Sequence, residues 1–496
     1  MSHLALSGIL STLKFFPMAM LTLGTFSGIV FGAIPGMTAS MGIVLFLPFT
    51  FKMDPISSIA LLIGIFTGGI SGGLVSATLL RMPGTPSSVT TCFDAYPMAQ
   101  KGEPGKALGI GILSSFVGGI TTAVALVFIA PPVANLAIKM GNFEYFSLGV
   151  FALSIVIALS KGSMVKGLIS GGLGLLFAMI GSAPVDMAQR FTFGMNSMAG
   201  GFNLLSVLIG IFAISQIISD VASESDFLVP KVDTKNVFPG FSVFVGDGIN
   251  LVRSTLIGFF IGILPGIGGA TANVVAYAEA KARSKTPELF GTGTKSGIIA
   301  SESSNNATIA GALIPMLTMG IPGDAVTAVL IGGLMIQGLQ PGPLLFKANA
   351  DFVYSVFTSV FLANWIMLAM MIFGIRIFIK TLSIRKTYLL PLIALMCVVG
   401  SFALNNRMFD VWSLFFFGVV GYVLEKSSFP LTPIILGFVL ESLIETNLRQ
   451  GLMSSSGSFL PLVSRPVSLL FLLLAAGSIV LPLLRQLYGR RQAFQK

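Results

Sequence analysis

The chain has 496 residues, 54% hydrophobic and only 10% charged, at a mean hydropathy of +0.92, whereas a soluble domain carries about 25% charged residues. So few charges cannot cover an aqueous surface, which excludes a water-soluble enzyme. The formal charge of +10 comes from basic residues scattered singly over loops, which excludes a nucleic-acid surface and reads instead as membrane orientation, because Lys and Arg collect on the cytoplasmic side.

In chain order, apolar runs fall near 15–34, 37–51, 56–80, 107–138, 143–160, 164–181, 202–221, 251–266, 295–318, 325–338, 351–380, 388–405, 409–424, 431–446 and 466–486. They predict an all-α polytopic membrane protein of roughly ten to thirteen transmembrane helices, since about 20 apolar residues cross a bilayer. Stretches such as 56–80 and 467–484 are apolar on every side, unlike the alternation of a transmembrane barrel. Lys14 is the only basic residue before the first long run, which no small-residue cleavage pattern closes; the run is expected to be a retained helix and not a signal peptide. The polar stretches 223–247 and 281–295 read as loops. Arg485, Arg490, Arg491 and Lys496 follow the last run and place the C-terminus in the cytoplasm.

Two interruptions recur in both halves. Gly32-Ala-Ile-Pro35-Gly36 and Met82-Pro83-Gly84 lie in the first half, and Gly262-Ile-Leu-Pro265-Gly266 and Ile321-Pro322-Gly323 in the second. Met98-Ala-Gln100 with Pro104-Gly105 is matched at the same spacing by Met335-Ile-Gln337 with Pro341-Gly342. The pattern predicts a duplicated unit: a first transmembrane repeat over 15–220, a polar connecting loop over 221–247, a second repeat over 248–450, and a C-terminal helix with a basic tail over 451–496. An inverted second copy is the expected arrangement and needs an odd number of crossings between equivalent breaks, which the run count leaves open. Proline removes a backbone donor and glycine permits left-handed angles, so Pro-Gly breaks a helix. Broken helices at matching positions of two halves point to a transport site, whereas an isolated Pro-Gly merely kinks.

Hydroxyls and amides flank these breaks: Thr38 and Ser40 after Pro35-Gly36; Thr85 and Ser87, then Thr90, Thr91 and Asp94, after Pro83-Gly84; Gly268, Thr271 and Asn273 after Pro265-Gly266. Thr318 and Gly320 lead into Pro322-Gly323, and Asp324 follows it. Before this last break runs Ser301-Glu302-Ser303-Ser304-Asn305-Asn306. Glu302 is the most informative residue, because a carboxylate in an apolar span is functional by default; packing against Asn305 or Asn306 is the structural alternative. Asp324 also suits a helix cap, and Asp94, beside Tyr96-Pro97, suits a loop. Broken helices offer carbonyls to a cation and N–H groups to a carboxylate, which fits a small organic anion moving with a cation. Gly68-Gly69, Gly72-Gly73 and Gly118-Gly119 read as points of close helix approach.

Enzyme signatures are missing. His3 is the only histidine, there is no phosphate-binding Gly-Lys-Ser/Thr loop, and Cys92 and Cys397 read as packing residues. Neither a cofactor nor a structural metal is expected. A membrane channel or structural subunit whose broken helices line a pore is the alternative to a carrier, and an intramembrane enzyme is the weakest reading.

Four motifs carry a family resemblance: Gly32 to Thr38, Leu79 to Pro86, Asp94 to Glu103, and Glu302-Ser-Ser-Asn305-Asn306-Ala307 with Gly311 to Pro315 and Gly320 to Gly323. In these the chain resembles the large membrane subunit of the tripartite tricarboxylate transporters. The resemblance implies a bacterial inner-membrane secondary transporter driven by sodium or protons. It also implies a small membrane subunit, a periplasmic solute-binding protein that delivers a di- or tricarboxylate, and an elevator-like motion. The scarcity of titratable groups favours sodium.

Overall fold

Proline and glycine together decide where this chain stops being helical. The computed structural model describes residues 2–159, 163–222, 237–382, 384 and 386–494, and each apolar run of the sequence lies on a helix there. Eight described helices are long and apolar enough to cross a membrane: Phe15–Ala33, Pro55–Leu80, Pro104–Ala137, Asn142–Leu159, Leu204–Ala222, Ala350–Thr381, Met408–Lys426 and Leu431–Ser454. Others are half-length, among them Ala39–Thr50, Gly248–Ile263 and Ala325–Ile336, because the Pro-Gly breaks cut them. The strand structure among the described residues is one antiparallel pair, Gly181–Ser182 with Gln189–Arg190. The protein is an all-α polytopic membrane protein.

Three described α-helices of ten residues or more fall outside the apolar runs, Ser2–Thr12, Thr91–Gln100 and Gly268–Ala282, as do the short Leu345–Ala348 and Leu460–Ser464. Asp94, expected in a loop, therefore sits on a helix. Most of the polar connecting segment, residues 223–236, lies outside the described residues, as does Lys496.

At all four Pro-Gly sites one helix ends and another begins. Gly36 takes a φ of 88° after Phe15–Ala33, and Thr38 caps Ala39–Thr50 by accepting the Met41 N–H at 3.2 Å. Pro55–Leu80 ends at a left-handed Arg81, and after Pro83-Gly84 a short 3-10 turn, Pro86–Ser88, precedes Thr91–Gln100. Gly248–Ile263 gives way to Gly268–Ala282 through Gly266 at φ 71°. Lys295–Met319 ends at left-handed Gly320, and Asp324 caps Ala325–Ile336, its Oδ1 accepting the Thr327 N–H at 2.7 Å. Prolines without a following glycine, such as Pro48, Pro97, Pro131, Pro315 and Pro391, are absorbed inside helices.

Two helices form the centre. In Pro55–Leu80 nearly every residue is buried, and in Lys295–Met319 every residue from Gly297 to Thr318. Phe15–Ala33 packs on the first and Gly248–Ile263 on the second, while Pro104–Ala137 crosses to Lys295–Met319 and Ala350–Thr381 crosses to Pro55–Leu80. Between lipid-embedded helices the hydrophobic effect gives little, so association depends on close van der Waals contact through small residues. Gly24, Gly28 and Gly32 lie against the backbone of Leu61, Ile65 and Gly69, and Gly64, Gly68 and Gly72 lie against Leu21, Thr25 and Ile29. Gly258 and Gly262 meet Ser304 and Thr308 in the same way.

Any side chain at Gly28 meets the backbone of Ile65 and Gly69, whereas Gly172 has open space around it. Gly28→Leu is expected to lower the stability of the solubilised protein by about 1–3 kcal/mol or more, the usual cost of overpacking, and Gly172→Leu to leave it unchanged. Thermal unfolding followed by size-exclusion recovery measures both; equal recovery would show that the glycine contact does not hold these helices together.

Candidate functional site

The first turns that follow the four breaks all face one cavity of ≈ 670 Å³. Thr38 and Ser40 come from the first break, Thr85, Pro86 and Ser87 from the second, Gly266 to Thr271 from the third, and Asp324, Ala325 and Val326 from the fourth. The rest of the lining includes Ile211, Phe212, Ser215 and Gln216, with Glu425 and Ser428 to Thr432 from the connection between Met408–Lys426 and Leu431–Ser454.

This placement follows from the breaks. A helix that restarts inside the protein presents its first N–H groups, which have no partner in their own helix. Three helices of twelve residues or more, Ala39–Thr50, Gly268–Ala282 and Ala325–Ile336, begin at the cavity and bring the positive ends of their dipoles to it. Hydroxyls stand there in pairs: Thr38 Oγ1 with Ser40 Oγ at 2.9 Å, and Thr85 Oγ1 with Ser87 Oγ at 3.1 Å. Among the described residues of the lining, the formally charged ones are both acidic, Asp324 and Glu425, and none is Lys, Arg or His. Asp324 is 7% exposed, while Glu425 is exposed.

Behind the lining lies a buried polar layer centred on Lys295–Met319. Glu302 is fully buried, with Oε1 accepting from Thr91 Oγ1 at 2.5 Å and Oε2 from Ser115 Oγ at 2.8 Å. It thus ties three helices together. Asn306 accepts from Ser71 Oγ at 2.7 Å and donates to the Glu302 carbonyl at 3.3 Å, joining the two central helices. Asn273 accepts from Thr90 N–H at 3.1 Å and from the Thr90 hydroxyl, and donates to the Ser301 carbonyl at 3.1 Å. Asp94 takes the N–H groups of Gly291, Gly293 and Thr294 on Oδ1 at 2.8 to 3.0 Å and the Tyr277 hydroxyl on Oδ2 at 2.8 Å. Asn305 differs: it is fully buried, yet neither Oδ1 nor Nδ2 has a hydrogen-bond partner.

Of the residues singled out in the sequence, the structure thus brings Thr38, Ser40, Thr85, Ser87, Gly266, Gly268, Thr271 and Asp324 to the cavity wall. Pro35, Gly36, Pro83, Gly84, Pro265, Gly320, Pro322 and Gly323 form the turns behind it. Thr318 donates to the Ile314 carbonyl within its own helix at 2.7 Å. Glu302, Asn273 and Asn306 stand in the buried layer. Sequence reasoning did not single out Ser215, Gln216 or the Ser428 to Thr432 segment. Its available signals were the polar pair inside an apolar run and Phe429-Pro430 between two runs. A π-helical turn, Gly210–Ile214, aims Ile211 and Phe212 at the cavity; such turns are frequent at functional sites.

Residues 18–436 match the family described as "Tripartite tricarboxylate transporter TctA family". Over 468 residues, 94% of this chain and 93% of the relative, the chain is 33% identical to an Agrobacterium vitis protein described as "Uncharacterized 52.8 kDa protein in TAR-I ttuC' 3'region". A second Agrobacterium vitis protein, "Uncharacterized protein in TAR-II ttuC' 3'region", is 32% identical over 234 residues, 47% of this chain and 97% of that protein. No solved structure matches.

Cysteine chemistry can map the cavity, because Cys92 and Cys397 are both buried and thiol reactivity follows exposure. Thr271→Cys is expected to react with a small water-soluble thiosulfonate roughly an order of magnitude faster than Asn306→Cys. Mass spectrometry of the labelled full-length protein reads the ratio; equal rates would mean that the first turns do not face water.

Proposed function

The chain belongs to the TctA family of tripartite tricarboxylate transporters, and from that premise we propose that it is the large subunit of a cation-coupled importer of small organic carboxylates. The carrying observation is the meeting of four interrupted helices at one cavity. Irregular backbone at membrane depth is tolerated where it is buried in protein or lines a watery cavity, and unwound segments from two halves of a chain are the usual material of a substrate site.

The electrostatics support coupling. Three helix N-termini attract a carboxylate, but the described residues of the lining add two acidic side chains and no basic one. A di- or tricarboxylate entering alone meets like charge from Asp324 and Glu425. A cation bound with it removes that cost, so substrate and cation occupy the cavity together. Sodium is the coupling ion in this reading, since Glu302 is held by two hydroxyls and no histidine lies in the described helices other than His3 near the N-terminus.

The crossed packing of Pro104–Ala137 on Lys295–Met319 and of Ala350–Thr381 on Pro55–Leu80 supports reading 15–220 and 248–450 as two related repeats. Their shared core moves against the outer helices to expose the cavity alternately to either side. In the cell this subunit sits in the bacterial inner membrane, with its C-terminus in the cytoplasm, beside a small membrane subunit, and receives its carboxylate from a periplasmic binding protein.

Reconstituted with both partners in liposomes, the protein should accumulate radiolabelled carboxylate only under an inward sodium gradient, and uptake should fall to background when the gradient is dissipated. Uptake indifferent to every ion gradient would overturn coupling. Ohmic conductance across a planar bilayer would turn the cavity into a pore.

A further inference from the structure

We propose that the first turn of the Gly268–Ala282 helix and the side-chain amide of Asn305 form the subsite for one carboxylate group of the transported molecule, and that Asp324 makes this subsite depend on a bound cation. The inference rests on the transport reading and assigns its chemistry to particular residues.

Gly268–Ala282 is the uncapped member of the three helices that begin at the cavity. Thr38 caps Ala39–Thr50 and Asp324 caps Ala325–Ile336, but no side chain accepts from the first turn of Gly268–Ala282. Gly268, Gly269 and Ala270 carry no polar side chain and all three line the cavity, so their backbone N–H groups are open to an anion.

Asn305 supplies the second, independent sign of a ligand. Its Oδ1 lies 3.0 Å from the point where a Gly269 Cβ would stand, next to Ser87 Cβ at 2.9 Å and Thr308 Oγ1 at 3.2 Å. The amide therefore ends beside the open first turn, between two residues, Ser87 and Gly269, that line the cavity. A fully buried amide with no partner is costly; on the same stretch Glu302 and Asn306 have partners, while the Ser303 hydroxyl has none. The amide nitrogen and oxygen exchange places by a half-turn about the terminal side-chain bond, and in that orientation a carboxylate oxygen at this turn accepts from Nδ2. The missing Cβ of Gly269 is what lets Ser87 and Asn305 close on the turn.

Asp324 stands at the same point: its Cβ is 3.2 Å from the place a Gly268 Cβ would take. Its Oδ1 is committed to Thr327 N and Thr327 Oγ1, both at 2.7 Å. A substrate carboxylate at the Gly268 turn therefore faces a second carboxylate in a largely buried setting. A cation held by Asp324 turns that repulsion into attraction, so the cation must be present before the carboxylate is held.

The test is equilibrium binding of radiolabelled citrate and of radiolabelled succinate to the purified full-length chain, in sodium chloride and in choline chloride. The wild type should bind at least one of them in sodium only. Asn305→Ala and the isosteric Asn305→Asp should weaken that binding about tenfold or more, the loss expected for one hydrogen bond to a charged group. Without ligand, the melting temperature of Asn305→Ala should be unchanged or raised, since an unpartnered amide has been removed; a purely structural asparagine would lower it. Asp324→Asn, which keeps an oxygen for the Thr327 cap, should bind equally well in sodium and choline. Wild-type affinity in Asn305→Ala, or an intact sodium requirement in Asp324→Asn, would overturn the subsite. A wild type that binds neither probe in either salt would overturn the transport reading beneath it.

Discussion

Inside a bilayer every backbone N–H and C=O needs a partner from the protein, and the architecture here is arranged around four departures from that requirement. Each Pro-Gly ends a helix and leaves the next one to begin with open N–H groups. Those groups cannot face lipid, so all four restarts are gathered at one cavity enclosed by longer, uninterrupted helices. The cavity is thus a direct consequence of the breaks, and its chemistry is that of helix first turns: N–H groups, short hydroxyls and one capping carboxylate.

Holding four unwound segments in register needs a rigid support. Glycine contacts supply part of it, since Phe15–Ala33 and Pro55–Leu80 touch backbone to backbone at six glycines, three on each helix. The buried polar layer supplies the rest. Glu302 joins Lys295–Met319 to the helix after the second break and to Pro104–Ala137, Asn306 joins the two central helices, and Asp94 fixes the segment before Lys295–Met319. These groups are ones the apolar surroundings would otherwise penalise, and each has found partners. Asn305, one step away on the same helix, has none among the described residues, and it stands where the third restart is least shielded.

Much of this was legible in the sequence because its signals are local. Apolar run length gave the helices, and Pro-Gly gave the breaks, since proline and glycine act on their own backbone whatever surrounds them. The hydroxyls and Asp324 were found because they follow the breaks directly. Glu302 stood out as a carboxylate in an apolar setting, and its partners Thr91 and Ser115 lie roughly 200 residues away in sequence, where no local pattern announces them. Thr91–Gln100 and Gly268–Ala282 escaped notice as helices because polar and small residues dilute their apolar character. Ser215, Gln216 and Ser428 to Thr432 join the cavity through tertiary packing; the polar pair inside an apolar run and Phe429-Pro430 between two runs were their local signals, and neither says which cavity they face.

The central claim is that the first turns after the four breaks bind the cargo together with a cation. Hydrogen–deuterium exchange on the full-length chain, with sodium and a carboxylate it transports, tests this most directly, because open first-turn amides exchange quickly until a ligand engages them. The account predicts new protection at residues 38–41, 85–88, 268–271 and 324–327 that needs both sodium and carboxylate, with little change along Phe15–Ala33. Protection confined to other segments, or equal protection by the carboxylate without sodium, would contradict it.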